Sequence, residues 1–185
     1  MKTLHVALAA LMTVSVPTLV RADREDRIRV DLAGFQEVPS VSTPASGRLK
    51  VNIARDDQSF DYELTFGGLI GTVQQSHIHF AQRGVNGSVV VWLCQTATTQ
   101  APAEVRAITP VCPQSGTVTG TITTANVITA TLNNGSQQIL AGELAEVLAA
   151  MRAGYAYANV HATPLNPGGE IRGQFPKSEH HDDKR

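Results

Sequence analysis

The sequence predicts an all-β fold, a sandwich or barrel of roughly seven or eight short strands with one short helix. Three observations support this prediction. Apolar and polar residues alternate in short runs; in residues 60–66 the apolar side chains on one face are Phe60, Tyr62, Leu64 and Phe66. Turn residues separate these runs, as in Asn86-Gly87. Only one segment shows helical periodicity.

Each predicted strand is bounded by turn residues or by a polar loop. The strands are predicted over residues 27–32, 47–54, 59–66, 76–80, 88–93, 116–123, 155–162 and 170–175. The fifth of these is apolar for most of its length, which indicates a strand that is central or buried on both faces. The helix is predicted over residues 142–152, where the i, i+3, i+4, i+7 stripe consists of Leu144, Val147, Leu148 and Met151. Gly154 suits its C-terminal cap.

The N-terminus has the features of a secretory signal peptide. Lys2 supplies the positive start, residues 4–16 are largely apolar, and Val20-Arg21-Ala22 offers small residues at the usual cleavage spacing. The apolar run is shorter than the about 20 residues that a membrane-spanning helix needs. We therefore predict a signal peptide at residues 1–22, a secreted or periplasmic mature protein, and no integral membrane segment after cleavage.

The mature chain is long enough for one domain with its own core. We predict that the domain spans residues 23–176 and that the hydrophilic residues 177–185 form a disordered tail. Loss of Lys2 and Arg21 leaves 13 Lys and Arg against 16 Asp and Glu, a net charge of −3. Because the chain has no basic stripe, a nucleic-acid partner is not expected.

Cys94 and Cys112 are the only cysteines of the chain. An even count in an exported protein predicts a disulfide, because secreted proteins fold in an oxidising environment. The spacing is not that of a Cys-x-x-Cys redox motif. A disulfide that closes a loop of this size contributes roughly 3 kcal/mol of stability.

Three histidines form the candidate metal site. In His77-Ile78-His79-Phe80 the two imidazoles share one face of a strand, because alternate side chains point to opposite faces. His161 lies in a second strand, whose small apolar residues take the other face. We predict that His77, His79 and His161 converge on one ion, copper or zinc, on the outside of the sandwich. The alternative is that they are ordinary solvated histidines of an outer strand face.

The last two strands add charged residues to this site. If their connecting loop is residues 164–169, His161 pairs with Arg172 on the outer face. Arg172 could then hold an anionic ligand or form an ion pair with Glu170. Glu37, in a Pro/Ser/Thr-rich loop, could be a fourth ligand, a group that orients an imidazole, or an ordinary loop-anchoring carboxylate.

Four segments resemble the CHRD domain, the module repeated in chordin and found alone in many bacterial exported proteins. They are LAGFQEVP at residues 32–39, HIHF at 77–80, NGSVVV at 86–91, and NVH at 159–161 with PGGEIRGQ at 167–174. The resemblance implies an all-β, immunoglobulin-like or Greek-key sandwich. It brings no defined biochemical activity.

A more distant similarity is to copper/zinc superoxide dismutase, a β-sandwich enzyme with a His-x-His pair, a late His, a late Arg near the copper and one disulfide. The matching elements here are His77, His79, His161, Arg172 and the Cys94–Cys112 pair. A fourth copper-binding histidine and a zinc cluster are missing from the domain.

Two functions follow from this sequence. The first is an extracytoplasmic binding module for a metal ion or another small ligand, and it is preferred because the resemblance brings no enzymatic chemistry. The alternative is a copper-dependent redox protein, a metal-dependent oxidoreductase. The sequence indicates neither catalytic residues nor an oligomeric state.

Overall fold

The computed structural model describes residues 27–132 and 135–178 of the 185-residue chain. Over these residues the protein is all-β, which confirms the predicted fold class. The predicted signal peptide, and the predicted tail beyond residue 178, lie outside the described residues. Within the described part of the chain, no helix has the length and apolar character that a membrane span requires.

Eight antiparallel strands form one nearly closed sheet. In chain order the strands are β1 (Arg27–Ala33), β2 (Ser46–Ile53), β3 (Phe60–Gly67), β4 (Thr72–Phe80), β5 (Ser88–Cys94), β6 (Gly116–Ile122), β7 (Thr131–Leu132), β8 (Gly135–Ser136), β9 (Ala156–Thr163) and β10 (Asn166–Gln174). β7 and β8 pair only with each other. The α-helices of the described residues are the single turn α1 (Ala103–Arg106) and the longer α2 (Leu144–Ala153), and short 3-10 helices lie at Gly34–Gln36 and Thr124–Asn126.

The sheet has two four-stranded halves in the order β5-β4-β9-β10 and β1-β2-β3-β6. They join where β1 meets β10, in a short ladder that pairs Ala33 with Arg172. The chain crosses between the halves after β3, after β5 and again before β9. The open side is bridged by Tyr62 of β3, whose hydroxyl donates to the Leu93 carbonyl of β5. This arrangement encloses one core between the halves.

The core is built from the alternating apolar side chains that the sequence predicts. Leu49, Phe60 and Leu64 have no exposed surface. Ile78 and Ile171 face the same core from the other half of the sheet. α2 closes one side of the core with its predicted stripe, and the buried side chains of that stripe are Leu144, Val147, Leu148 and Met151. The helix ends at Gly154, which has a left-handed backbone with φ +77°.

The one short helix that the sequence predicts is α2. The single turn α1 lies in the segment between the cysteines. Of the two predicted alternatives for β5, the buried strand fits and the central strand does not, because β5 is largely buried but lies at the end of the sheet. Beyond it, Val91 makes an isolated bridge to Val127. Phe80 is only partly buried, although Ile78 of the same motif is fully buried.

The outer face of β4, β9 and β10 is covered by loops, and this is the main correction to the sequence-based picture. Arg172 was expected on an outer face of the sandwich, yet the exposed fractions of Glu170, Arg172 and Gln174 on this face are 0%, 1% and 9%. The covering segments are the loop after β1, the loop before β5 and the start of β10. A polar face can be buried in this way because loop backbone groups supply hydrogen-bond partners.

Candidate metal centre

Two neighbouring strands position the three histidines. His77 and His79 lie on β4, and His161 lies on β9, which pairs antiparallel with β4. Asn159 of β9 is directly opposite His77, and His161 is opposite Gln75. All these side chains share one face of the sheet because their register positions differ by two residues.

The three imidazoles converge as the sequence predicts. Their ring centroids are 5.4 Å apart for His77 and His79, 5.0 Å for His77 and His161, and 6.3 Å for His79 and His161. One ring nitrogen from each residue can be chosen so that all three lie within 4.8 Å of one another. Among the described residues, this is the one group of three or more His, Cys, Asp or Glu side chains that could hold a metal.

The predicted position of the histidines on the surface is wrong, because all three are buried. His77 is 2% exposed, His79 7% and His161 6%. Trp92 packs with its ring edge-on to His77, at 4.2 Å between centroids. Tyr157 stacks on His79 at 4.5 Å with the rings almost parallel. The site is therefore an enclosed polar cluster, and the solvated-histidine alternative does not apply.

Backbone carbonyl groups fix the tautomers of two imidazoles. His79 Nδ1 donates to the Gly87 carbonyl, and His161 Nδ1 donates to the Pro167 carbonyl, each over 2.9 Å. A carbonyl oxygen only accepts, so each Nδ1 carries the hydrogen. In a neutral ring the lone pair is then on Nε2. Histidines that bind metals commonly have this arrangement, because the ring N–H that does not face the metal donates to a backbone carbonyl.

The ring of His77 differs from those of the other two histidines because it has no hydrogen bond to any described residue. Neither Nδ1 nor Nε2 has a partner within the described part of the chain, although both atoms are buried. Burial, reinforced by the neighbouring His161 and His79, lowers the pKa of His77 well below its usual value. An imidazole in this position stays neutral and leaves a donor and an acceptor unsatisfied.

Burial also keeps the other two imidazoles neutral. It lowers the pKa of His79 to about 4, against the opposing effect of the hydrogen bond to Gly87. It lowers the pKa of His161 as well, where the hydrogen bond to Pro167 opposes the shift. Since metals bind the neutral imidazole, protons compete weakly with a metal at this site near neutral pH.

Asn159 lies at the centre of the cluster and was not among the predicted site residues. Its Oδ1 is 3.1 Å from His79 Nε2 and 3.1 Å from His161 Nε2. Strand alternation could have identified it, because Asn159 precedes His161 by two residues and so shares its face. The carbonyls of Gly87 and Pro167 could not have been found in this way, since they are backbone groups, which strand alternation does not place.

Glu37 lies beside the cluster but is not one of its converging donors. The loop after β1 buries the side chain, and burial raises the pKa of Glu37 to about 7. The opposing influences are the charge of Arg172, the backbone N–H of Val38 and the side-chain amide of Asn159. Of the three predicted roles, orientation of a neighbouring group fits this position best, because Glu37 meets Asn159 rather than a histidine.

Arg172 shares the face of the histidines, but it does not pair with His161. Its register partner on β9 is Asn159. The guanidinium lies 3.4 Å above the Tyr157 ring and donates to the Val85 carbonyl over 2.9 Å and to Asn86 Oδ1 over 3.1 Å. Arg172 therefore anchors the loop before β5 over the site.

The predicted ion pair between Glu170 and Arg172 is not formed within the described residues. Glu170 is fully buried, and its Oε1 accepts from Thr43 Oγ1 over 2.6 Å and from the Ile70 backbone N–H over 2.8 Å. Those contacts tie two loops to the sheet, so Glu170 has a structural role away from the histidines. The predicted disulfide is confirmed: Cys94 and Cys112 are bonded, with Cα atoms 5.0 Å apart.

Comparison with known proteins identifies one family. No curated protein and no solved structure matches the chain. The family model for the CHRD domain matches residues 28–175, which include the three histidines and all of the strands except the first residue of β1. The chain therefore belongs to the CHRD domain family.

Proposed function

We propose that this CHRD domain is a binding module for a divalent transition-metal ion, which His77, His79 and His161 hold through imidazole nitrogens. The observation that carries the proposal is His77, a fully enclosed imidazole whose two nitrogens have no partner in the described chain. A buried polar group without a hydrogen bond costs about 1–3 kcal/mol. Such a group is expected where a ligand supplies the missing interaction.

The other two histidines support the same proposal in a different way. Their Nδ1–H groups are already engaged by the carbonyls of Gly87 and Pro167. Their Nε2 lone pairs are therefore free to bind a metal, and their ring planes are fixed before it arrives. Outer partners of this kind typically raise metal affinity 10- to 100-fold.

The distances suit an ion of the size of zinc or copper. A tetrahedral centre with metal–nitrogen bonds of about 2.0–2.1 Å places its donors about 3.4 Å apart. The three nitrogens here lie within 4.8 Å of one another. They have to close by at most about 1.4 Å, which small rotations of the side chains can provide. Imidazole suits both Zn²⁺ and Cu²⁺, so the ion itself remains to be measured.

A copper-dependent redox protein is the second candidate. The observation that favours it is the packing of oxidisable rings on two of the histidines, Trp92 on His77 and Tyr157 on His79. The burial of all three histidines favours the binding module instead, because a catalytic metal needs an open coordination position. The rate of superoxide consumption by the copper-loaded protein separates the binding module from the redox protein. If the domain is a binding module, this rate should not exceed that of the same protein without copper.

We further propose that the domain works outside the cytoplasm. The predicted signal peptide supports this, and the Cys94–Cys112 disulfide is the kind of bond that persists in an oxidising compartment. Expression of the whole chain in an export-competent host, followed by mass spectrometry, should give a mature protein that begins near residue 23. An intact N-terminus in the exported fraction would contradict the predicted cleavage.

Metal binding is tested by calorimetric titration of zinc and of copper. The tail histidines His180 and His181 are first replaced by alanine, so that they cannot bind metal themselves. One equivalent should bind. His161→Ala should weaken binding by at least about 100-fold, more than the loss of an outer partner does. The matched control is Gln75→Ala, which alters the register partner of His161 without removing an imidazole and should leave the affinity unchanged.

The result that would overturn the proposal is equally specific. If the protein with both tail histidines replaced binds neither ion, or if His161→Ala and Gln75→Ala bind equally well, the three histidines are not a metal site. The buried cluster would then be a structural feature of the family.

A further inference from the structure

We infer that the side-chain oxygen of Asn159 is the fourth ligand of this metal, so that the centre is a closed set of three imidazole nitrogens and one amide oxygen. The inference rests on the proposed metal binding and deepens it by naming the residue that completes the coordination. Asn159 is 2% exposed and lies on the same face of β9 as His161.

The positions of the ring hydrogens point to this role. His79 and His161 each use Nδ1–H to donate to a backbone carbonyl, so neither Nε2 carries a hydrogen in the neutral ring. Both Nε2 atoms face Asn159 Oδ1 at 3.1 Å. An oxygen and two nitrogens thus direct lone pairs at one another with no hydrogen between them. A cation placed among the three atoms turns this repulsion into coordination.

The distance identifies Oδ1 as a ligand rather than an occupant of the metal position. Two donors bound to the same tetrahedral ion are about 3.4 Å apart, because each bond is about 2.0–2.1 Å long. The observed separation of 3.1 Å is close to that value. An oxygen that occupied the metal position itself would lie about 2 Å from each nitrogen.

The surroundings of Asn159 hold the amide in this orientation. Its backbone carbonyl accepts from Ser76 Oγ over 2.7 Å, which fixes β9 against β4. The side-chain amide also interacts with the Glu37 carboxyl. Gly169 makes room for this contact, since a Cβ there would lie 2.4 Å from Glu37 Oε1 and 2.9 Å from Asn159 Nδ2. The carboxyl thus holds the Nδ2 side of the amide and leaves Oδ1 directed at the histidines.

Four protein ligands in a buried site leave no coordination position for water or for a substrate. This arrangement is typical of structural zinc sites, whereas catalytic sites keep one position open. The inference therefore specifies the ligand as a tetrahedral divalent ion of the zinc type, bound for stability rather than for turnover.

Cobalt(II) substitution tests the inference, because the visible absorption of this ion reports its coordination. The His180→Ala/His181→Ala protein is loaded with Co²⁺ and titrated with azide, a small anion that binds to open coordination positions of a metal. The expected spectrum is that of a four-coordinate ion, and azide should not change it. Asn159→Ala should weaken Co²⁺ binding by at least about 10-fold and make the spectrum shift on addition of azide.

A second measurement does not depend on the folding of that variant. In a crystal structure of the zinc-loaded protein, the distance from zinc to Asn159 Oδ1 should be about 2.0–2.2 Å. A distance above about 3 Å, or an amide turned so that Nδ2 faces the histidines, would overturn the inference. So would an azide response that is identical with and without Asn159.

Failure of this inference is distinguishable from failure of the proposed function. If Co²⁺ and zinc bind in a way that needs His161 but not Asn159, only the fourth ligand is wrong. If neither ion binds the protein with both tail histidines replaced, both proposals are overturned. Gln75→Ala again serves as the matched control, and its spectrum should match that of its parent.

Discussion

Replacement of His77 by phenylalanine should stabilise the metal-free protein and abolish its response to metal. The reason is that His77 is fully enclosed and neither of its ring nitrogens has a partner among the described residues. Phenylalanine has a similar shape, can keep the edge-on contact with Trp92 at 4.2 Å, and has no polar atom to satisfy. A residue that weakens the empty fold but is needed for the ligand is expected at a functional site.

The magnitude follows from two opposing effects. Removal of two unsatisfied buried groups should gain about 1–3 kcal/mol for each group. The larger phenyl ring should lose about 1–3 kcal/mol through crowding in a packed site. We expect a net gain of about 2 kcal/mol, which corresponds to a rise in Tm of about 4–8 °C for a protein of this size.

The assay is urea denaturation with a chelator and then with zinc. At a free zinc concentration of 100 times Kd, the wild-type protein should gain about 2.7 kcal/mol, while the variant should gain nothing. The difference between the free energies of unfolding of the two proteins should therefore shrink or change sign when zinc is added. Ile78→Val is the control, because it alters the opposite face of the same strand; it should cost about 0.5–1.5 kcal/mol and leave the zinc response intact.

Two results would refute this reasoning. A His77→Phe protein that is less stable than wild type in chelator by more than about 1 kcal/mol would show that the His77 nitrogens are not a burden to the empty fold. A variant that zinc still stabilises fully would show that His77 is not a ligand. Either result would remove the main support for the metal site.

Three further predictions concern the same fold. In chelator, the free energy of unfolding should fall as the pH drops from 6.5 to 4. The pKa of His79 is lowered to about 4 in the folded protein, so the unfolded chain binds the proton first as the pH falls. This residue alone should contribute a loss of roughly 3 kcal/mol, which urea denaturation across that pH range measures. Glu37 acts in the opposite direction, since its pKa of about 7 gives the folded protein stability that is lost as the pH rises from 4.5 to 7. The lowered pKa values of the three imidazoles should outweigh this effect of Glu37, so the net result is a loss of stability at low pH. The double variant Cys94→Ala/Cys112→Ala should lose about 3 kcal/mol in the same assay, and an unchanged midpoint would contradict the stabilising role of the disulfide. Gly169→Ala should lose about 1–3 kcal/mol of stability, because the φ of +131° at this position strains an alanine. The variant should also bind zinc more weakly, because the added Cβ would meet Glu37 and disturb its contact with Asn159. Equal zinc affinity would count against a role of the Glu37–Asn159 contact.

The strands and the core could be predicted from the sequence because they depend on local alternation. Residues 47–54 and 59–66 were predicted as consecutive strands, and β2 and β3 occupy nearly those limits. α2 could be predicted for the same reason, since its stripe packs directly on the core. α1 and the β7–β8 hairpin were missed because each is too short to show a period.

The shared face of the histidines could also be predicted, because it needs only strand alternation. Their convergence depends in addition on the pairing of β4 with β9. The register of the last hairpin could not be predicted, since it depends on an irregularity between Asn166 and Ile171. The predicted pairing of His161 with Arg172 was wrong by two residues, because Asn159 is the partner of Arg172. An error of two residues keeps every side chain on its face, which is why the prediction of the site survived it.

The burial of the site could not be predicted, because alternation reveals which side chains share a face but not what covers it. The cover comes from two loops that are distant in sequence and from the start of β10, represented at the site by Glu37, Gly87 and Pro167. The carbonyls of Gly87 and Pro167 set the lone pairs of His79 and His161, and Glu37 meets Asn159. Metal binding would therefore favour the observed arrangement of all three segments at once. By the same linkage, a change in any one of these segments should alter metal affinity without touching a ligand.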